Sequence, residues 1–193
     1  VPLIVLDRDG VINEDSEDYI RSLADWRPIP GSLEAIAALS KAGYTIAVAT
    51  NQSGLGRGYL DPDALAAIHA RLHRQVEEEG GSIAGIFYCP HLPEAGCACR
   101  KPGTGLLAAI EAELALSPRG APLIGDSLRD LQAALAYGCR PVLVRTGKGA
   151  ATLRELQSGR VTLAGWEDIP VYDDLAAAAR AILQQRPASK DDE

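Results

Sequence analysis

Leu3-Ile4-Val5-Leu6-Asp7-Arg8-Asp9-Gly10-Val11-Ile12-Asn13 is the stretch that decides the fold. Its leading apolar run, with β-branched Ile4 and Val5, predicts a strand over Leu3–Leu6 of the kind found in parallel sheets. The strand runs directly into two carboxylates, Asp7 and Asp9, separated by Arg8. Gly10 lets the backbone turn there, so both acids can face one site. One carboxylate can then attack phosphorus while the other handles the proton of the leaving group. A solvated acidic turn is the plain alternative. A calcium loop fits less well, because its glycine stands at the sixth position and a helix precedes it.

Outward from this stretch, strands and helices alternate. Further strands are predicted at Thr45–Ala49, Ile83–Tyr88, Pro122–Ile124 and Arg140–Val144, with a short extra one at Leu163–Ala164. Helices are predicted over Ser32–Ala42, Pro62–Glu79, Gly105–Leu114, Leu128–Tyr137 and Leu175–Gln184. Asp61-Pro62 is a strong helix start, an N-cap followed by proline at the first helical position. Gly43 and Gly138 read as helix stops. Such alternation implies crossover connections and a mainly parallel sheet covered on both faces. The expected organisation is a single domain over residues 1–185 and a polar tail over 186–193.

The residues able to do chemistry follow strand ends: Asp7, Thr50, Cys89 and Asp126. In open α/β sheets ligands bind along that edge. Thr50-Asn51-Gln52-Ser53-Gly54 offers a hydroxyl and turn N–H groups as a phosphoryl cradle, or is merely a polar loop. Arg100-Lys101-Pro102 places two cations before a helix, suited to phosphate, although a surface basic pair is the ordinary reading. In Gly125-Asp126-Ser127-Leu128-Arg129-Asp130, a carboxylate at the end of a buried strand is costly unless it serves a cation. Mg²⁺ takes one or two carboxylates with phosphate oxygens and water, which points to Asp126 as a ligand. Asp130, one helical turn on, reads as a supporting carboxylate that holds Lys101 or a metal-bound water.

The 193 residues are 47% apolar and 23% charged, with a net charge of −7, a balance that disfavours nucleic acid as the main partner. No apolar run reaches membrane-span length. Val1 to Leu6 do not resemble a signal peptide, so cytoplasm is the expected compartment. Three of the four cysteines fall in Cys89-Pro90-His91-Leu92-Pro93-Glu94-Ala95-Gly96-Cys97-Ala98-Cys99. Cys89, His91, Cys97 and Cys99 make a closed Cys₃His set for a structural Zn²⁺. Cys139 reads as a core cysteine. His69 and His73, spaced i, i+4 with no third ligand nearby, read as helix-face residues.

Jointly, these four strand-end motifs resemble the haloacid-dehalogenase (HAD) superfamily in order and context. With the cysteine loop, the chain is similar to its capless, zinc-loop, histidinol-phosphatase-like branch. The resemblance implies a three-layer Rossmann-like α/β fold with no large cap domain. It implies Asp7 as nucleophile, Asp9 as acid then base, and Thr50 and Lys101 steadying the phosphoryl group. Mg²⁺ would be held by Asp7, the Asp9 carbonyl and Asp126. Asn51, Gln52, Ser53 and Arg100 would contact substrate beside Thr50 and Lys101, Asp15 with Asp18 or Tyr19 would border the sugar, and Arg57 and Lys148 would add to a basic rim. Ser127 stands where some members carry lysine. The implied partner is a small phosphorylated sugar bearing a second phosphate, met by a monomer with no membrane or nucleic-acid role. Histidinol phosphate is the alternative substrate, and a non-catalytic phosphate-binding module the alternative class.

Overall fold

The computed structural model describes residues 2–186. Of the polar tail expected at 186–193, residues 187–193 lie outside the described residues, as does Val1. Six strands form one parallel sheet: β1 (Leu3–Leu6), β2 (Thr45–Asn51), β3 (Gly85–Cys89), β4 (Pro122–Gly125), β5 (Arg140–Val144) and β6 (Val171–Tyr172), in the order β3-β2-β1-β4-β5-β6. The chain builds outward from β1 on one side through β3, then crosses to β4 on the other side of β1. That reversal opens a crevice beyond the carboxyl ends of β1 and β4.

Alternation along the strands sorts the core. Ile4 and Leu6 face one layer, with Ile46, Val48 and Ile124; it is covered by α1 (Ser32–Lys41), α3 (Pro62–Glu78) and α7 (Leu175–Gln184). Leu3 and Val5 face the other, with Ala47, Ala49 and Leu123, under α4 (Gly105–Leu114) and α5 (Leu128–Tyr137). Between them in sequence, α2 (Ser53–Gly56) is a single turn, and α6 (Gly149–Gln157) follows β5. Asp61 caps α3 by accepting from Ala64 N at 2.8 Å, and Gly138 ends α5 in a left-handed conformation. No helix among the described residues is long and apolar enough to cross a membrane.

The sequence expectations need three corrections here. Leu163–Ala164 is not a strand: Gly165 turns the chain with φ 78°, and Leu163 packs against the Leu131/Leu143/Leu156 cluster instead. The sixth strand is Val171–Tyr172, in register with Leu143 and Val144. Helix α6 carried no start signal, because it opens on glycine and Lys148 gives no side-chain cap.

Candidate active site

The turn after β1 is built on Arg8 O, which accepts from Val11, Ile12 and Asn13 N. Gly10 sits in it with φ 86°, and a Cβ there would lie 2.0 Å from Asp126 Oδ2. A Cβ on Gly147 (φ 56°) would lie 2.3 Å from the same oxygen. Two bare glycine backbones therefore close around Asp126, and Lys148 N donates to its Oδ2 at 2.9 Å. Asp7, at the end of β1, and Asp126, at the end of β4, come together with Asp130 within one ligand-sized cluster.

Lys101 is the cation of this cluster and is 3% exposed. Its Nζ donates to Ala49 O at 2.8 Å and Asp130 Oδ1 at 2.5 Å, and lies 3.1 Å from Asp7 Oδ1. Burial alone would lower the ammonium pKa, but Asp130 and Asp7 hold it above its ordinary value. Asp130 spends its other oxygen on Asp126 N, Ser127 N and Ser127 Oγ, at 3.1, 3.2 and 2.9 Å, in a capping box that opens α5. Burial opposes its ionisation and Lys101 outweighs that, so Asp130 lies below its usual range. It is committed to Lys101 and the helix start, as the sequence implied.

Asp7 and Asp126 are only partly compensated, by Lys101 and by Lys148 N respectively. Burial, then the neighbouring Asp130 charge, raises Asp7 well above the ordinary carboxylate range and pushes Asp126 up to about 7. Two buried acids facing one space, with one lysine between three carboxylates, fit a hard divalent cation well.

Asp9 differs. Its Oδ1 meets Arg8 Nε and Nη2, each at 2.8 Å, and Asn13 Nδ2 at 2.9 Å; its Oδ2 accepts from Gln52 Nε2 at 3.1 Å. Burial raises its pKa, but Arg8 and these donors outweigh it and leave it below the usual value. Gln52 Nε2 also reaches Thr50 Oγ1 at 2.9 Å. Asn51 ties the Lys101 backbone to β2: its Nδ2 donates to Lys101 O at 3.1 Å and its Oδ1 accepts from Lys101 N at 2.9 Å.

A cavity of about 380 Å³ gathers Asp7, Asp9, Asp15, Tyr19, Thr50, Asn51, Gln52, Ser53, Arg57, Arg100, Lys101 and Asp126. Every catalytic, substrate and Mg²⁺ residue expected from the sequence lines it, with Tyr19 rather than Asp18 beside Asp15. Lys148, expected on the basic side, lines it as well, as do Arg129 and Glu17. Of the last two, Arg129 was open to detection, since it lies inside the Gly125–Asp130 motif. Arg100 Nη1 is buried and finds no hydrogen-bond partner among the described residues.

The cysteine loop stands apart. Cys89 Sγ lies 3.4 Å from His91 Nδ1, 3.6 Å from Cys97 Sγ and 2.9 Å from Cys99 Sγ; His91 Nδ1 lies 3.2 Å from Cys99 Sγ. All four ligand atoms lie within 4.8 Å of one another, a group that could hold one metal ion. The Arg100 backbone N–H draws Cys97 down to about 6, while burial and the other thiols push Cys99 up to about 12. Cys139 is buried in the core. His69 lies on a helix face, as the sequence implied, and that face is the buried one. It falls in the stripe Leu65, Ile68, His69, Leu72, Val76 on α3. The apolar period of that helix was the available signal.

Fold and site together define a hydrolase of the HAD type, and the HAD-hydrolase-like family matches residues 98–178. The D-glycero-beta-D-manno-heptose-1,7-bisphosphate 7-phosphatase of Pseudomonas aeruginosa is 53% identical over 183 residues, covering 94% of this chain and 98% of the relative. That of Bordetella bronchiseptica is 49% identical over 95% of this chain and 98% of its own length. A crystal structure of D,D-heptose 1,7-bisphosphate phosphatase from B. bronchiseptica, complexed with magnesium and phosphate, superposes with a TM-score of 0.89 at 47% identity, covering 96% of this chain and all of that one. The chain belongs to the D-glycero-beta-D-manno-heptose-1,7-bisphosphate 7-phosphatase family.

Proposed function

We propose that this chain removes the C7 phosphate of D-glycero-D-manno-heptose 1,7-bisphosphate through an aspartyl-phosphate on Asp7. The observation that carries the reading is one uncapped crevice with Asp7 and Lys101 at its floor and Arg100, with its unpartnered Nη1, in its wall. Mg²⁺ supplies charge neutralisation for an anion attacking an anion, held by Asp7, Asp126 and the Asp9 carbonyl. Lys101 holds Asp7 in place and faces the negative charge that builds on the transferring group. Thr50, Asn51 and Ser53 surround the phosphoryl oxygens. Asp9 gives a proton to the leaving sugar oxygen as the ester P–O bond breaks. It then takes one from the water that attacks the aspartyl-phosphate, restoring Asp7 and releasing phosphate.

Arg100 reads the distal C1 phosphate, with Arg57, Lys148, Asp15 and Tyr19 bordering the sugar. Cys89, His91, Cys97 and Cys99 hold a structural Zn²⁺ that shapes the wall carrying Arg100. We place the enzyme in the cytoplasm as a monomer, in the supply of nucleotide-activated heptose for lipopolysaccharide.

Histidinol phosphate, cationic at its far end, would meet Arg57, Arg100, Arg129 and Lys148 against only Asp15 and Glu17. The test is steady-state kcat/KM for both anomers of the heptose bisphosphate and for histidinol phosphate. The bisphosphate is expected to lead by roughly a hundredfold or more, the value of one or two charge-assisted contacts. Equal or better turnover of histidinol phosphate overturns the substrate assignment.

A further inference from the structure

Arg8 lies between the two catalytic acids and is fully buried. A buried guanidinium must have its donors matched, and this one is matched in a directed way. Nε and Nη2 meet Asp9 Oδ1, each at 2.8 Å, and Nη2 donates to Gln52 Oε1 at 3.2 Å. Nη1 meets His69 Nε2 at 3.1 Å, and the guanidinium carbon sits 5.7 Å from the centre of the Trp26 ring. Because Arg8 can only donate, His69 Nε2 must be the acceptor, which makes the imidazole neutral with its proton on Nδ1. Burial, then the Arg8 charge, pushes His69 down to about 3, in keeping with that state. His69 rides on a seventeen-residue helix whose apolar stripe is locked into the core.

The two oxygens of Asp9 are not equivalent in this network. Oδ1 receives Arg8 Nε, Arg8 Nη2 and Asn13 Nδ2 and has no lone pair to spare. Oδ2 receives one donor, Gln52 Nε2, on the side of Thr50. The amide of Gln52 is itself oriented by Arg8, which takes its Oε1.

We propose that His69 and Arg8 are positioning residues for the leaving-group step, with His69 fixing the Arg8 fork so that Asp9 Oδ1 is anchored and Oδ2 is the oxygen that carries and returns the proton. The inference rests on the reading of Asp9 as the leaving-group acid. Neither His69 nor Arg8 lines the crevice, so each acts through Asp9. A leaving group that departs as a stable anion has no need of this device, whereas an alkoxide does.

The test compares kcat/KM on a simple alkyl phosphate, glycerol phosphate, with kcat/KM on p-nitrophenyl phosphate, because kcat/KM reports the steps through release of the alcohol and leaves out the later water attack, which Asp9 assists for both substrates. His69→Leu, which cannot accept a hydrogen bond, is expected to lower alkyl kcat/KM by roughly tenfold to a hundredfold while aryl kcat/KM stays within about threefold. His69→Gln, whose carbonyl can accept from Arg8, should keep the wild-type ratio. Arg8→Lys keeps the charge but not the fork, and should give the same split as His69→Leu; it decides the matter if the leucine variant does not fold. Parallel loss on both substrates, or loss on neither, overturns the inference. Asp9→Asn separates the two layers of the argument. If it shows no split, the reading of Asp9 fails; if it shows the split and the His69 and Arg8 variants do not, only the positioning inference fails.

Discussion

The catalytic crevice and the cysteine loop both crowd acidic groups together, but they relieve the crowding by different means. In the crevice the protein supplies much of the relief itself. Lys101 serves Asp130 and Asp7, Arg8 serves Asp9, and the first turn of α5 serves Asp130 again. These groups stand on strand ends and a helix start that are buried in the main core. In the loop, by contrast, one ligand sits on β3 and the other three lie in a segment whose only regular structure is the 3-10 turn Pro93–Ala95. Among the described residues, the polar side-chain to side-chain contacts of Cys89, His91, Cys97 and Cys99 are with one another. The crevice should therefore keep its shape when its cation leaves, and the loop should not.

The largest effect that could break this contrast is at the nucleophile. Asp7→Asn keeps the volume and removes the attacking anion, so kcat should fall by roughly 10³-fold or more with the fold intact. Near-normal turnover by this variant, measured on the bisphosphate, would sink the aspartyl-phosphate mechanism. A smaller split is expected within the adjacent basic pair. Lys101→Ala should depress kcat on every substrate, because its charge faces the transferring group. Arg100→Ala should raise KM for the bisphosphate by about tenfold to a hundredfold and barely touch a simple monophosphate. Equal effects of Arg100→Ala on both substrates would remove Arg100 as the reader of the far phosphate.

The last comparison is of metals. EDTA should stop turnover reversibly, with full return on adding Mg²⁺ and little change in melting temperature. Zinc should copurify near one ion per chain, and Cys97→Ser should lower the melting temperature by several degrees before it alters kcat, since ligand binding there is coupled to local folding. A zinc-free protein of unchanged stability and activity would erase the proposed difference between the two regions.

Much of the crevice was legible because its residues sit where strand patterns end. Asp7, Thr50 and Asp126 could be placed on one edge from periodicity and turn chemistry alone, Lys101 joined them through the family resemblance, and Asp130 could be given a supporting role from its spacing to Asp126. What escaped notice lay between motifs or inside a helix. Arg8 was read only as a spacer between two aspartates, because burial of a guanidinium depends on partners from distant segments, here Gln52 and His69. His69 could be read as a helix-face residue from its spacing to His73, but which face it shares is set by Leu65, Leu72 and Val76. Helix α6 and strand β6 were missed for a weaker reason: neither has a cap, and packing at the sheet's edge sets both.

The adjacency of β1 and β4 has a temporal consequence. Asp7 and Asp126 are more than a hundred residues apart in the chain, yet Leu6 and Ile124 are register partners. Contacts that span so much chain form late, because the intervening segment must first be ordered. A ribosome that has made the first three strands has already produced Asp7 and Asp9, but not Lys101, Asp126 or the Gly147 backbone that closes over it. A chain that ended at β3 would carry the proposed nucleophile without the groups proposed to neutralise it.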